Sequence, residues 1–172
     1  EYEGQIALLR AVHELDPGRL RGRVIIVPVS NPPASQAATR TSPIDRVNLA
    51  RCFPGRADGT LTEQLAEGMS RLLLPLADCV LDFHSGGKSM EYMPCAFGRL
   101  PDESALKAKV LDLMLAFDAP ATVMMLRPEA SATFVSAALE VGIPAMATEL
   151  GGGGGVTSET VAIARNGLRN LL

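Results

Sequence analysis

Four short runs of apolar residues constrain the fold more than any other feature of this chain. They are Arg23–Val29, Asp78–Phe83, Ala121–Leu126 and Ile143–Thr148. Each is too short for a stable helix, and its apolar residues follow one another instead of alternating with polar ones. A strand reads this way when both of its faces are covered. Between the runs lie stretches with apolar residues at helical spacing: Tyr2–Leu15, Thr60–Leu74, a helix capped by Asp102 or Ser104 and running through Phe117, Ser131–Val141 and Ser158–Leu172. Such alternation predicts one α/β domain with a mainly parallel, mixed sheet and helices on both faces. Pro94–Gly98 adds a shorter candidate strand.

The helix ends are marked. Thr60-Leu-Thr-Glu63 is a capping box, Asp16-Pro17-Gly18 stops the first helix, and Gly142 ends the one before it. Ile6, Leu9 and Val12 are the expected core face of the first helix, and Leu61, Leu65, Met69 and Leu72 that of the second. In the third, Leu106, Val110 and Leu113 or Met114 point inward. Pro28 has no N–H for a ladder, so it marks a strand end. From Asn31 to Gly59 the periodicity lapses. This segment carries four prolines (Pro32, Pro33, Pro43, Pro54) together with Arg40, Asp45, Asn48 and Arg51. A segment this long between buried-type elements is expected to be functional.

Two of the apolar runs deliver chemistry at their carboxyl ends. Asp78–Phe83 is followed by His84 and then Ser85-Gly86-Gly87, and Ile143–Thr148 is followed by Glu149 and five glycines. Open α/β sheets build their sites at that edge. Hydrolysis assisted by a metal needs ligands, a base and a cation. His84 suits a ligand, Glu149 a base, and the arginines of the long loop the cations. The bland alternatives are a histidine satisfied by a backbone carbonyl, a glutamate that caps the next helix or pairs with Lys88, and solvated surface arginines. Gly151–Gly155 lacks the pattern and the Lys of a phosphate loop, and Ser85 lies in no nucleophile elbow.

Three segments together resemble the succinylglutamate desuccinylase/aspartoacylase family of zinc carboxypeptidase-like amidohydrolases. They are Asp82-Phe-His84-Ser-Gly86, Arg40…Asn48-Leu-Ala-Arg51-Cys-Phe-Pro-Gly55, and Thr148-Glu-Leu-Gly151. The likeness runs in order through essentially the whole chain and is closest to the branch that deacetylates N-acetyl-diaminobutyrate. It implies a zinc-carboxypeptidase-like fold, one zinc ion, and hydrolysis of the amide bond of a small N-acyl amino acid or related compound. On this resemblance His84 and Glu1 are metal ligands, Glu3 is the rival to Glu1, and the first histidine of the family's His-x-x-Glu motif would precede residue 1. Glu149 is the general base, Arg40 polarises the scissile carbonyl, and Arg51 grips the substrate carboxylate. The family's Asn beside that arginine is Ala50 here. Asn48 would face the same way if the segment were an extended strand. The resemblance makes residues 1–172 a single catalytic α/β domain of a longer enzyme, incomplete at both ends.

Composition narrows the partners. Sixteen basic against nineteen acidic residues give a net charge of −3 with no strongly basic patch, so nucleic acid is not expected. No apolar run reaches the ~18 residues of a membrane span. Three cysteines in no metal-knuckle spacing read as reduced thiols of a cytoplasmic protein. The expected partner is a small-molecule N-acyl amino acid, and a homo-oligomer is compatible with the sequence. The rival reading is a noncatalytic α/β binding or scaffold fragment without metal. A doubly wound nucleotide binder ranks below both, because no glycine-rich turn follows the first strand.

Overall fold

The computed structural model describes residues 2–125 and 132–172. Among them the chain forms α1 (Tyr2–Glu14), α2 (Pro32–Ala37), α3 (Leu61–Leu73), β1 (Val80–Asp82), β2 (Cys95–Arg99), α4 (Ser104–Phe117), β3 (Ala121–Met125), α5 (Phe134–Glu140), β4 (Ala145–Glu149) and α6 (Ser158–Leu171). The strands make one sheet in the order β1-β4-β2-β3. β1 pairs with β4 in parallel and β2 with β3 in parallel, while β2 and β4 are antiparallel. The sheet is therefore mixed, with two of its three pairings parallel, and β2 joins the halves.

Successive side chains of a strand point to opposite faces, and the core follows that rule. Val80, Ala145 and Ala147 pack with Phe53, Ala66, Leu74, Val135 and Ala138 on the face covered by α3 and α5. Met146 and Ala96 turn to the other face and meet Val110, Met114 and Phe117 of α4. Full burial of a side chain of that size contributes roughly 1.5–3 kcal/mol. α1 lies on α6, where Ala7 and Ala164 close on Leu150. At its end Glu14 receives the Arg165 guanidinium at 2.7 and 2.8 Å.

Several sequence expectations need correction. Arg23–Val29 is irregular and joins no ladder among the described residues. This segment and Leu74–Asp82 both line a cleft of about 1560 Å³. A run of apolar residues shows that a segment can be covered; a strand also needs a neighbour whose N–H and C=O groups are within reach. β3 was expected to be covered on both faces, yet it is an edge strand with Val123 39% and Met124 49% exposed.

Two helices present a different face from the one their large apolar residues mark. α1 buries Glu3, Gly4, Ala7 and Ala11 and leaves Leu9 and Val12 exposed, while α3 buries Thr62 and Ala66, keeps Leu65 half-buried and Met69 half-buried against the core, and leaves Leu61 and Leu72 exposed. Small residues let these helices approach their neighbours closely, and close packing set the rotation. α4 buries Leu106, Val110, Met114 and Phe117, as its spacing implies. The long irregular segment contains a helix that the proline count concealed: Asn31 Oδ1 accepts the Ala34 N–H at 3.2 Å and Pro32 opens α2. Asn before Pro is a start signal, because Pro lacks the N–H that the first turn leaves unpaired. Ser131 and Leu126 fall outside the described residues, but α5 opens at Phe134 with Thr133 as its cap, later than expected, and α4 is capped by Glu103, between the expected Asp102 and Ser104. No helix among the described residues is long and apolar enough to cross a membrane.

Candidate active site

β1 and β4 are parallel neighbours, so their carboxyl ends share one edge of the sheet. Asp82 stands opposite Ala147; the same register carried two residues on sets His84 beside Glu149. Thr148 joins the two strand ends. Its Oγ1 accepts the His84 N–H at 3.1 Å and its hydroxyl donates to the His84 carbonyl at 3.3 Å. That carbonyl also accepts the Leu150 N–H at 3.0 Å. The placement of histidine and glutamate is thus held by backbone on both sides.

The His84 ring has a carboxylate behind it. Nε2 lies 3.0 Å from Asp82 Oδ2, and the two side chains are equally accessible, at 26%. Residues two apart on a strand share a face, which is why Asp82 reaches the ring. A carboxylate holds this nitrogen as N–H and keeps the lone pair on Nδ1, the form in which imidazole binds a metal. In the sequence Asp82 stands out only as the first residue of the Asp82–Gly86 motif. The signal that identifies it is the i, i+2 spacing at the end of a buried strand.

The glycine run works as a clasp. The Gly151 carbonyl accepts the N–H groups of Gly86 (2.9 Å) and Tyr92 (3.1 Å), Gly153 N–H donates to Met90 (2.9 Å), and Gly154 N–H donates to Gly87 (2.8 Å). These bonds lock the loop after His84 against the loop after Glu149. The two backbones are so close that a Cβ on Gly152 would lie 2.8 Å from Gly86 Cα and 3.0 Å from Gly86 N, and Gly152 has φ +135°. Only glycine fits such a crossing without strain.

The thiols are poor nucleophile candidates. Cys95 stands opposite Glu149 in the β2–β4 register. Burial, with the Glu149 charge adding to it, pushes the Cys95 thiol up, and burial with the Glu63 and Asp45 charges does the same for Cys52. Protonated thiols do not attack.

Arg40, Asn48 and Arg51 line the same cleft as His84 and Glu149. Both arginines are exposed. Asn48 does not lie in an extended strand, because Leu49–Arg51 forms a 3-10 turn with Asn48 as its cap. Its Oδ1 accepts the Ala50 N–H at 3.1 Å, so the amide NH2 is the part it can offer a ligand. Arg51 Nη1 donates to the Ala50 carbonyl at 2.7 Å.

Glu1 lies outside the described residues. Glu3 is buried in α1, 2% exposed, and lines the cleft. Among the described residues no three His, Cys, Asp or Glu side chains are grouped to hold a metal ion. His84 with Asp82 behind it fits one ligand of such an ion. A catalytic zinc site normally needs three protein ligands, so the described residues supply part of the set.

Comparison with known proteins adds to this geometry. The succinylglutamate desuccinylase/aspartoacylase catalytic domain matches residues 1–172. The N-alpha-acetyl-L-2,4-diaminobutyric acid deacetylase of Halomonas elongata is 44% identical over 172 residues, which are 100% of this chain and 50% of that protein. A succinylglutamate desuccinylase structure from Silicibacter sp. TM1040 superposes with a TM-score of 0.96 at 45% identity, covering 100% of this chain and 52% of the other. The product-bound ectoine utilization protein EutE of Ruegeria pomeroyi gives 0.95 at 46% identity, with the same coverage of 100% and 52%. The chain spans about half the length of these relatives.

Proposed function

The chain belongs to the succinylglutamate desuccinylase/aspartoacylase family, and on that premise we propose that it is the catalytic α/β domain of a longer zinc-dependent hydrolase that cleaves the amide bond of a small N-acyl amino acid. The observation that carries this reading is the pairing of His84 and Glu149 at the carboxyl ends of adjacent parallel strands, with two arginines on the wall of the same cleft. The 44% identity to a diaminobutyrate deacetylase favours an N-acetylated diamino acid as substrate.

His84 and Glu1 would hold one zinc ion together with a donor from outside these residues. When bound, the zinc supplies a Lewis acid for the acyl oxygen and lowers the pKa of water to ~7. Asp82 keeps the His84 ring oriented. Glu149 takes a proton from the attacking water as its oxygen adds to the acyl carbon, and returns that proton to the amine nitrogen as the C–N bond breaks. The products are a carboxylate and a free amine. Arg40 stabilises the negative charge that develops on the acyl oxygen. Arg51, with the Asn48 amide beside it, binds the substrate carboxylate.

A longer protein is supported by the relatives' length and by the cleft itself. At about 1560 Å³ it exceeds the ~300–1,000 Å³ of a typical small-ligand site. Exposed Leu76 and Ile25 are apolar surface on its walls for further chain to cover. Three unpaired thiols fit a reducing, cytoplasmic setting.

The test is zinc content measured beside hydrolysis of N-alpha-acetyl-L-2,4-diaminobutyrate, in the protein at its natural length. His84→Ala should lose both metal and activity. Glu149→Gln should keep the metal and lose turnover by ~10²–10⁴-fold. A wild-type rate for Glu149→Gln removes the base assignment, and stoichiometric zinc in His84→Ala moves the metal site elsewhere. Absence of both zinc and hydrolysis in the wild type would favour the noncatalytic fragment.

A further inference from the structure

The loop that carries Arg51 is moored to the start of α3, ahead of the arginine, by the Asp45 carboxylate. The first turn of a helix leaves its N–H groups without helical partners. In α3, Thr60 and Glu63 cap each other, at 3.4 Å and 2.8 Å. The Thr62 N–H instead goes to Asp45 Oδ2, 17 residues earlier, at 2.7 Å. Asp45 Oδ1 accepts the Thr62 hydroxyl at 2.9 Å and the Val47 N–H at 3.1 Å. These three hydrogen bonds, joined by one from the Thr60 hydroxyl, bring donors to both oxygens. Thr62 is buried, which keeps water from replacing these bonds.

The same carboxylate closes a turn. Ser42, 1% exposed, donates its N–H to the Val47 carbonyl at 3.0 Å, and its own carbonyl accepts the Arg46 N–H at 2.8 Å. One residue beyond Val47, Asn48 caps the turn that presents Arg51. On the far side the segment is tied to α3 by Cys52 Sγ, 3.8 Å from the Thr62 carbonyl, and by the Phe53 N–H, which donates to the Ala132 carbonyl at 3.0 Å. Arg51 itself is exposed. Its position over the cleft therefore depends on the two ends of the arm, and Asp45 fixes the leading end.

We propose that Asp45 is a positioning residue for substrate binding: its carboxylate, bonded to Thr62 and Val47, sets where the Asn48–Arg51 turn presents its arginine to the substrate carboxylate. This rests on the reading of Arg51 as the carboxylate anchor. An amide cannot replace the acid, because its single oxygen serves fewer donors and its NH2 would face N–H and O–H groups. Loss of the anchor should act on substrate binding and spare the chemical step at Glu149, which sits on another element.

The experiment is steady-state kinetics on the natural-length protein with N-alpha-acetyl-L-2,4-diaminobutyrate, comparing wild type, Arg51→Ala, Asp45→Asn, Thr62→Val and the Arg51→Ala/Asp45→Asn double variant. Arg51→Ala should raise KM by ~10–100-fold, the loss of a charge-assisted pair. Asp45→Asn should raise KM by ~5–20-fold with kcat within about twofold and zinc content unchanged, since it removes binding and not transition-state contacts. Thr62→Val removes one of the three bonds and should raise KM by a smaller factor; it carries the test if Asp45→Asn does not fold. The double variant should bind no worse than Arg51→Ala alone, because the mooring has no further effect once the arginine is gone. An unchanged KM in Asp45→Asn beside a raised KM in Arg51→Ala overturns the role of Asp45 alone, as does full multiplication of the two effects in the double variant. An unchanged KM in Arg51→Ala overturns the anchor reading, and the proposal falls with it.

Discussion

Gly152→Ala should pull the two loops of the site apart. A Cβ at this position would meet the Met90 carbonyl oxygen and lie 2.8 Å from Gly86 Cα, both backbone atoms that cannot swing aside. The residue also has φ +135°, which L side chains rarely adopt. Holding a non-glycine residue there costs on the order of 1–3 kcal/mol. Forcing a methyl group into a filled contact adds about 1–3 kcal/mol. The sum, roughly 2–6 kcal/mol, corresponds to a drop in Tm of at least about 4 °C at ~2–4 °C per kcal/mol for a domain of this size. Relief by movement would carry the His84 loop away from Glu149, and a misplacement of about 1 Å can cost ~10²-fold in rate. Gly155→Ala is the internal control, because nothing lies within 4 Å of a Cβ there; its stability should stay within about 0.5 kcal/mol of wild type. Thermal melts and initial rates of both variants decide the matter. If Gly152→Ala melts and turns over like Gly155→Ala, the clasp does not hold the site.

Three further outcomes are expected. Asp82→Asn should weaken zinc binding by ~10–100-fold in competition with a chelator, because the partner that orients the His84 ring is changed; an unchanged affinity would mean that the 3.0 Å contact does not tune the ligand. Phe117→Ala, at a side chain 1% exposed and 6.2 Å from the Phe83 ring, should cost about 3–5 kcal/mol in urea unfolding; a loss below about 1 kcal/mol would contradict the packing described. Asp45 is held at about 2 against an ordinary 3.8: burial pushes it up, but hydrogen bonds from Thr62, Val47 and Thr60 outweigh burial. Its folded pKa lies below the unfolded one, so its contribution is complete above 3.8 and is lost as pH falls toward 2. Denaturation midpoints of wild type and Asp45→Asn should therefore converge across that window, and a gap that persists to pH 2 would refute the assignment.

Much of the site was legible before the fold. His84 and Glu149 each follow a continuous apolar run, and residues that end buried parallel strands meet at one sheet edge. The capping box at Thr60–Glu63 forms as written, because its bonds span only three residues. Asp45 was visible as a polar residue in a long loop, but its partner is 17 residues away. No local pattern encodes that distance. The glycine clasp was hidden for the same reason: a run of five glycines shows freedom at the backbone and not what the backbone crosses.

The sequence by itself determined most of the alternation of strands and helices, the capping box of α3, and the delivery of an acid and an imidazole to strand ends. All of these depend on neighbours a few residues apart. Tertiary structure alone decided which faces of α1 and α3 are buried, since close approach through Ala7, Ala11 and Ala66 outweighed the larger Leu9, Val12, Leu61 and Leu72. It also decided that β2 runs antiparallel to β4 where the two halves of the sheet meet, and that Arg23–Val29 lines a cleft and joins no ladder among the described residues. The physical reason is common to these cases. Ladder bonds and helix contacts belong to pairs of elements distant in sequence, and composition records how much surface must be covered without recording by what.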